Sequence, residues 1–406
     1  MEQLMHEYDL EVTFRDPVII RDGRPFGKGN TMHSRPWITP SAIAGSLRTM
    51  LGKKLNREFD EKTIELLKSI QIQGPFIQCG ENYYTITPKD CVCEPCEDNT
   101  LKWYKVRPMK LEPGEGSNLP GFGLLGGSIS EFASHNFKSE KIPAFWSWNM
   151  MLAWLKTVDI PNEVSDLKSR EEMKESGNFL PLPAQDTRIH IKIDLNNGNT
   201  EESFLFQTTG LDISHMGFIN NKQNSTSLIY KILVPSELGC PENFHEIHPF
   251  GGERRLTRWN MKLGTNTPVN YPKNILSPIF MNSQNRIKMI LITPAIFSKG
   301  WYPSWLNSTP EGYIGTFPYI HESHTIKLKL VSATIERWQP ISGWNYDKRN
   351  FGSKPMRKMV PAGSVYFFEI IEGKAEDIAK NFWCKACSDE KQDRIDGFGQ
   401  VLWGTW

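Results

Sequence analysis

Residues 8–14 read YDLEVTF, with Tyr8, Leu10, Val12 and Phe14 alternating with polar neighbours. A period of two marks a strand with one face buried and the other wet. A loop follows, RDGRPFGKG at residues 21–29. Its Asp22-Gly23 pair is turn chemistry, because glycine takes a positive φ without steric cost and aspartate bonds its own backbone locally. Arg21, Arg24 and Lys28 place cationic heads on this turn, and its glycines permit close approach to the main chain. Next comes TPSAIAGSLRTMLGKKL, residues 39–55. Thr39 is placed as an N-cap and Pro40 suits the first helical position, while Ile43, Leu47, Met50 and Leu51 form an apolar stripe. Gly45, Arg48 and Gly52 recur on another face of that helix.

Farther along, FIQCGENYYTI (76–86), RIHIKID (188–194), SFLFQT (203–208) and LIYKILV (228–234) read as strands. This half closes with HPFGGERRLTRW (248–259), a Gly-Gly loop entering a basic strand. A second series runs through IKMILITPAIF (287–297), HTIKLKLVSATI (324–335), SVYFFEI (364–370) and a short helix, EDIAKNFW (376–383). It ends in GFGQVLWGTW (397–406), another glycine loop entering an apolar strand. Strands this numerous with so few helices exclude a doubly wound parallel sheet and predict an α+β chain of two related units on antiparallel sheets. The first unit spans 1–265 and the second 266–406, with the junction inside the loop-rich MKLGTNTPVNYPKNILSP (261–278). Residues 91–139 and 160–180 read as insertions in the first unit.

The chain has 406 residues, 39% of them hydrophobic, including 22 Phe and 13 Trp, enough for more than one core. Its net charge of +1 means that a polyanion must meet a local basic patch rather than a global field. No apolar run reaches the length of a signal peptide or a membrane span. Seven cysteines without a secretory signal fit a reduced, cytoplasmic chain. FWSWNMMLAW (145–154) is either an interface rich in tryptophan or a buried helix.

Taken in order, RDGRPF, TPSAIAGSLRTML, GGERR, LITPAIFSKGWYP, ISGWNYDKRN, VPAGSVYFF and GFGQVLWG resemble the third subunit of the Cmr complex, the RNA-guided type III-B CRISPR effector. That subunit belongs to the RAMP superfamily, and the resemblance runs from about residue 8 to residue 406. It implies two RRM-like, ferredoxin-like domains and a non-catalytic, Cas5-like scaffold in antiviral defence. The scaffold would grip the 5′ handle of the CRISPR RNA, dock the large polymerase-type subunit and abut the RAMP backbone subunits. The residues agree, because guanidinium forks and glycine-exposed backbone N–H groups suit phosphate, and aromatic rings suit unstacked bases.

The RNA-binding candidates are Arg21, Arg24, Phe26 and Lys28 in the first loop, with Trp37 close by, and Gly45 and Arg48 on the helix. They continue with Gly251, Gly252, Arg254 and Arg255, then Lys354 in the basic stretch 345–363, then Gly397 and Gly399. Arg48 has a structural alternative, an ion pair with Asp16 or Asp22. Strand alternation would put Arg254 and Arg258 on one face and Arg255 on the other. Cys93, Cys96, Cys384 and Cys387 form two CxxC pairs, enough thiolates for a tetrahedral zinc if the insertion folds back onto the C-terminal region. A local site built on Cys91, Cys93 and Cys96 is the variant of that idea, and no other cofactor is implied. His33 and His190, near arginines, seed a rival reading as a metal-independent RAMP endoribonuclease that processes CRISPR precursor RNA. No Walker motif or dinucleotide fingerprint is present.

Overall fold

The computed structural model describes residues 4–406 except 23–33, 112, 115–121, 127–136, 220–221, 265–267, 282, 284, 320–324 and 346–350. Two antiparallel sheets dominate. The first has eight strands in the order Asn243–Pro249, Leu256–Leu263, Met5–Phe14, Thr226–Pro235, Gln71–Cys79, Asn82–Ile86, Phe145–Ser147, Phe179–Leu180. The second has six: Asn307–Thr309, Gly312–Thr316, Lys327–Thr334, Val365–Glu372, Arg286–Leu291, Val401–Gly404. Every strand of the first sheet lies before residue 264 and every strand of the second after residue 285. The chain is thus α+β on antiparallel sheets, as the strand count implies.

The alternation in YDLEVTF sets the inner face of the first sheet. Leu10 sits opposite Tyr230 on one side and Met261 on the other, and all three are buried. The helix Pro40–Lys54 lays Ile43, Leu47, Met50 and Leu51 on that face, as its periodicity predicts. Thr39 stands at the N-cap position, but its hydroxyl makes no cap bond and faces Ser41 instead.

The two halves are not separate globules. Phe76 and Ile229 of the first sheet share a core with Met289, Phe367 and Trp403 of the second. Burying apolar area from both sheets in one core stabilises their union by about 25 cal/mol per Å² removed from water. The stretch 91–139 is less of an appendage than an insertion suggests. Its strands Cys91–Pro95, Leu101–Lys110 and Phe122–Gly126 form a three-stranded sheet, and Cys91, Cys93, Leu101 and Trp103 enter the shared core. A fully buried ion pair, Lys288 Nζ to Asp90 Oδ2 at 2.5 Å, ties this region to the second sheet, and Trp154 Nε1 donates to the other carboxylate oxygen at 2.8 Å. The FWSWNMMLAW stretch resolves as a buried element. Trp146 and Trp154 are fully enclosed and meet edge to face, so the helix Trp148–Lys156 is core.

Candidate nucleic-acid interface

The first strand delivers the chain to the flanks of the RDGRPF loop, which the rest of the fold grips closely. Val18 and Leu211 exchange backbone bonds of 2.9 and 2.8 Å, and Arg35 N donates to Ile20 O at 2.7 Å. Arg21 is exposed and bridges Ser34, whose hydroxyl donates to Thr209 O at 2.6 Å. Arg24, Phe26, Lys28 and His33 lie outside the described residues.

The GGERR loop packs directly behind these flanks. Gly252 N donates to Ile19 O at 2.7 Å, and Leu256 N donates to Asp16 Oδ2 at 3.0 Å. Gly251 has φ 71°, and a Cβ there would lie 2.5 Å from Ile19 O. A Cβ on Gly252 would meet Ile19 Cγ2 at 3.1 Å. These two glycines therefore admit the neighbouring chain, which is the close approach that the sequence assigns to a ligand. Strand alternation misplaces Arg254. Residues Gly252–Arg254 form a short 3-10 turn and the strand starts at Leu256, so only Arg258 lies on it. Arg254 and Arg258 are exposed, while Arg255 pairs with Glu253 at 2.8 Å.

Arg48 points inward. Its Nη1 lies 2.7 Å from Asp396 Oδ1, and its Nη2 donates to Lys68 O and Ile70 O at 3.1 and 3.0 Å. The side chains are only 13% and 12% exposed. The acidic partner is thus Asp396 of the other half, not Asp16 or Asp22. Gly45, one turn earlier, is exposed with open space where a Cβ would stand.

Gly397 and Gly399 are buried and belong to an internal joint, so they offer no surface to RNA. Gly397 has φ 96° and a Cβ on it would lie 2.9 Å from Ile72 O; on Gly399 it would lie 2.9 Å from Ser388 Oγ. The joint centres on fully buried Gln400. Its side chain accepts from Gly74 N at 2.7 Å and donates to Gly74 O at 3.0 Å and Gly397 O at 3.0 Å. A buried amide satisfied on all sides holds two strands from different halves in one register.

A cation-and-aromatic surface emerges beside Arg35. That guanidinium donates to Pro340 O at 2.5 Å and Gln339 Oε1 at 2.6 Å, anchoring the first of two small ladders. Gln339–Ile341 pairs with Arg357–Met359, and Trp344–Asn345 with Gly352–Ser353. They present Trp338, Trp344 and Phe351 at 48%, 51% and 67% exposure. Lys358 Nζ stands 5.0 Å over the Trp338 ring, Trp344 meets Phe351 edge to face at 5.6 Å, and Lys354 is exposed. Arg357 is occupied internally by Asp393 at 2.7 and 2.9 Å. Counting charges in 345–363 finds Lys354 but misses Trp338, Trp344 and Phe351; aromatics interleaved with lysines were the available signal.

A long hairpin, Ala184–Ile193 with Thr200–Asp212, springs from the same place through Leu211 and Thr209. It exposes Ile189, Ile191, Ile193 and Leu205. His190 stacks on Phe206 with centroids 4.9 Å apart and contacts Thr208 Oγ1 at 2.9 Å. The strand patterns are legible in the sequence, but their joining into a projecting arm is not.

The cysteines do not converge. Burial pushes the Cys93 thiol up to about 12 and raises those of Cys384 and Cys387 further, while Cys96 is half-buried. Among the described residues no group of three or more His, Cys, Asp or Glu side chains is placed to hold a metal. Cys384 and Cys387 instead bond Val401 O and Gly399 O through their amides, within the internal joint. This overturns the expectation of a zinc shared with Cys93 and Cys96.

A family model described as CRISPR-associated protein (Cas_Cmr3) matches residues 10–406. No curated protein matches. Among solved structures, a chain of the type III-B Cmr-beta complex bound to cognate target RNA and AMPPnP is 14% identical, with TM-score 0.44, covering 88% of this chain and 86% of that one. The same complex bound to cognate target RNA gives the same values. A chain of the Csm3–Csm4 subcomplex from the type III-A interference complex is 11% identical, with TM-score 0.35, covering 90% and 94%.

Proposed function

Because this chain belongs to the Cas_Cmr3 family of CRISPR-associated proteins, we propose that it is a non-catalytic scaffold that grips the 5′ handle of the CRISPR RNA. It does so within a type III-B effector, where it docks the large polymerase-type subunit and abuts the RAMP backbone subunits. One observation carries the reading: the exposed Trp338–Lys358 and Trp344–Phe351 pairs, with Lys354, beside the base of the RDGRPF loop. Single strands are held by cations that track phosphates and by rings that stack bases, and this surface supplies both without reading a sequence. Arg21, Arg254 and Arg258 extend it across the loop flanks, and the hairpin rises from the same ground. Arg48, Gly251, Gly252, Gly397 and Gly399 act behind that surface, holding its parts in position.

The scaffold role rests on what the site can do chemically. Phosphodiester cleavage by a RAMP nuclease needs a base set against the attacking 2′-hydroxyl. His190 is stacked on Phe206 and contacts a threonine hydroxyl. The test incubates the purified chain with repeat RNA, alone and after assembly with the other subunits. Retention of intact handle RNA that depends on assembly is expected. Cutting by the chain alone would replace the scaffold with the endoribonuclease alternative.

A further inference from the structure

The seam between the three-stranded sheet and the second half encloses two lysines and one carboxylate. Lys288 Nζ meets Asp90 Oδ2 at 2.5 Å, and neither side chain is exposed at all. Lys105, on the strand Leu101–Lys110, is buried as well. Both lysine heads lean on one indole, with Lys105 Nζ 4.4 Å and Lys288 Nζ 5.3 Å from the centre of the Trp154 ring. We propose that Lys105 is carried as an uncharged amine in neutral solution, so that opening this seam takes up a proton and acid loosens it.

Charge balance is the first argument. The titratable groups facing Lys105 are Lys288 from the second sheet, with Asp90 and Cys91 from the neighbouring strand and the turn before it. The helix Trp148–Lys156 and the turn after it present an indole and backbone carbonyls, while the exposed Asp159 carboxylate turns to Arg107 at 3.6 Å. Burial pushes the Cys91 thiol well up, so it stays protonated and neutral. Among these facing groups one carboxylate stands against two lysines, and it already bonds Lys288 and the Trp154 N–H. A second ammonium would be a net positive charge away from water, and such a group sheds its proton instead. Burial first, and then the Lys288 charge, hold the Lys105 amine well below the ordinary lysine range.

Hydrogen-bond geometry is the second. An uncharged amine offers two hydrogens and one lone pair. Lys105 Nζ makes two short bonds, to Trp154 O at 2.7 Å and Thr157 O at 2.5 Å, whereas Asp159 O lies at 3.5 Å. Its lone pair accepts from Lys288, with which it shares a side-chain hydrogen bond. An ammonium has three donors and no acceptor, so it would face the Lys288 ammonium with nothing to receive that hydrogen.

A lysine released to water titrates at about 10.4. Below that pH the open chain binds one more proton than the closed chain, so stability rises with pH and drains away as pH falls toward the lowered folded value. Each pH unit within that window changes the opening constant about tenfold. The proton acts where three parts meet, because Lys105 ties the three-stranded sheet to the end of the helix and Lys288 belongs to the second sheet.

The experiment follows urea unfolding of the full chain by tryptophan fluorescence between about pH 7 and 9, for wild type, Lys105→Met and Lys288→Met. Relative to Lys105→Met, wild type should gain about tenfold in its folding constant per pH unit, the comparison cancelling histidine and cysteine titrations. Lys288→Met leaves Asp90 to Lys105, which then keeps its proton, so the slope should vanish there. If Lys105→Met does not fold, wild type against Lys288→Met reads the same slope. Amide exchange across Cys91–Lys110, corrected for the intrinsic rate, locates the effect: protection there should fall with pH in wild type and hold in Lys105→Met. A wild type that parallels the variants throughout, or a slope that survives in Lys288→Met, would overturn the uncharged amine. A slope whose exchange signature lies outside Cys91–Lys110 would overturn the seam as the part that opens.

Discussion

Replacing Arg48 by alanine separates a clamp on RNA from a strut inside the protein. The guanidinium meets Asp396 at 2.7 Å and two backbone carbonyls at about 3 Å, with little solvent at either side chain. The substitution strands a nearly buried carboxylate and leaves Lys68 O and Ile70 O without that donor. Breaking one partner of a buried pair costs about 3–5 kcal/mol, because the other charge stays desolvated. Gln392 Nε2, at 2.8 Å from Asp396 Oδ1, offsets part of this, so the lower end is the expectation. At about 2–4 °C per kcal/mol for a domain of 150–250 residues, the melting temperature falls by roughly 6 °C or more. The assay is urea unfolding followed by tryptophan fluorescence, with RNA retention measured on the same samples. The double variant Arg48→Met, Asp396→Leu should recover most of the loss, since a hydrophobic replacement of a buried pair is near neutral. A chain destabilised by less than about 0.5 kcal/mol, the range of ordinary surface changes, yet weakened in RNA retention, would refute the strut and restore the clamp.

Two other outcomes follow from the exposed groups. Lys354→Ala with Lys358→Ala should reduce the slope of log K against log salt by about 1.4, at about 0.7 per phosphate contact on single strands. An unchanged slope in filter binding would show that these lysines touch no phosphate. Alkylation of the native chain at pH 8 should modify half-buried Cys96 first and leave Cys93, Cys384 and Cys387 unmodified, because burial excludes reagent and holds their thiols protonated. Raising the pH to 9 still lies well below the Cys93 value of about 12, so early loss of these thiols by mass spectrometry would contradict the buried placement.

Period-two alternation in YDLEVTF and the apolar runs LIYKILV and SVYFFEI specify strands, and the stripe through Ile43, Leu47 and Met50 specifies a covering helix. Such patterns arise wherever one face of an element must leave water, so they are written locally and can be read without a partner. The α+β class and the family motifs were legible for the same reason. The tertiary structure assigned the long-range pairings. Arg48 and Asp396, Gln400 and Gly74, and Gly251 and Ile19 lie far apart in the chain, and nothing local distinguishes an arginine that will meet phosphate from one that will meet a buried carboxylate. A glycine that admits a ligand and a glycine that admits a neighbouring strand carry the same letter. Exposure of Trp338 and Trp344 against burial of Trp146 and Trp154 was likewise decided by where the two sheets share their core, since all four are equally apolar in sequence and only packing removes a ring from water.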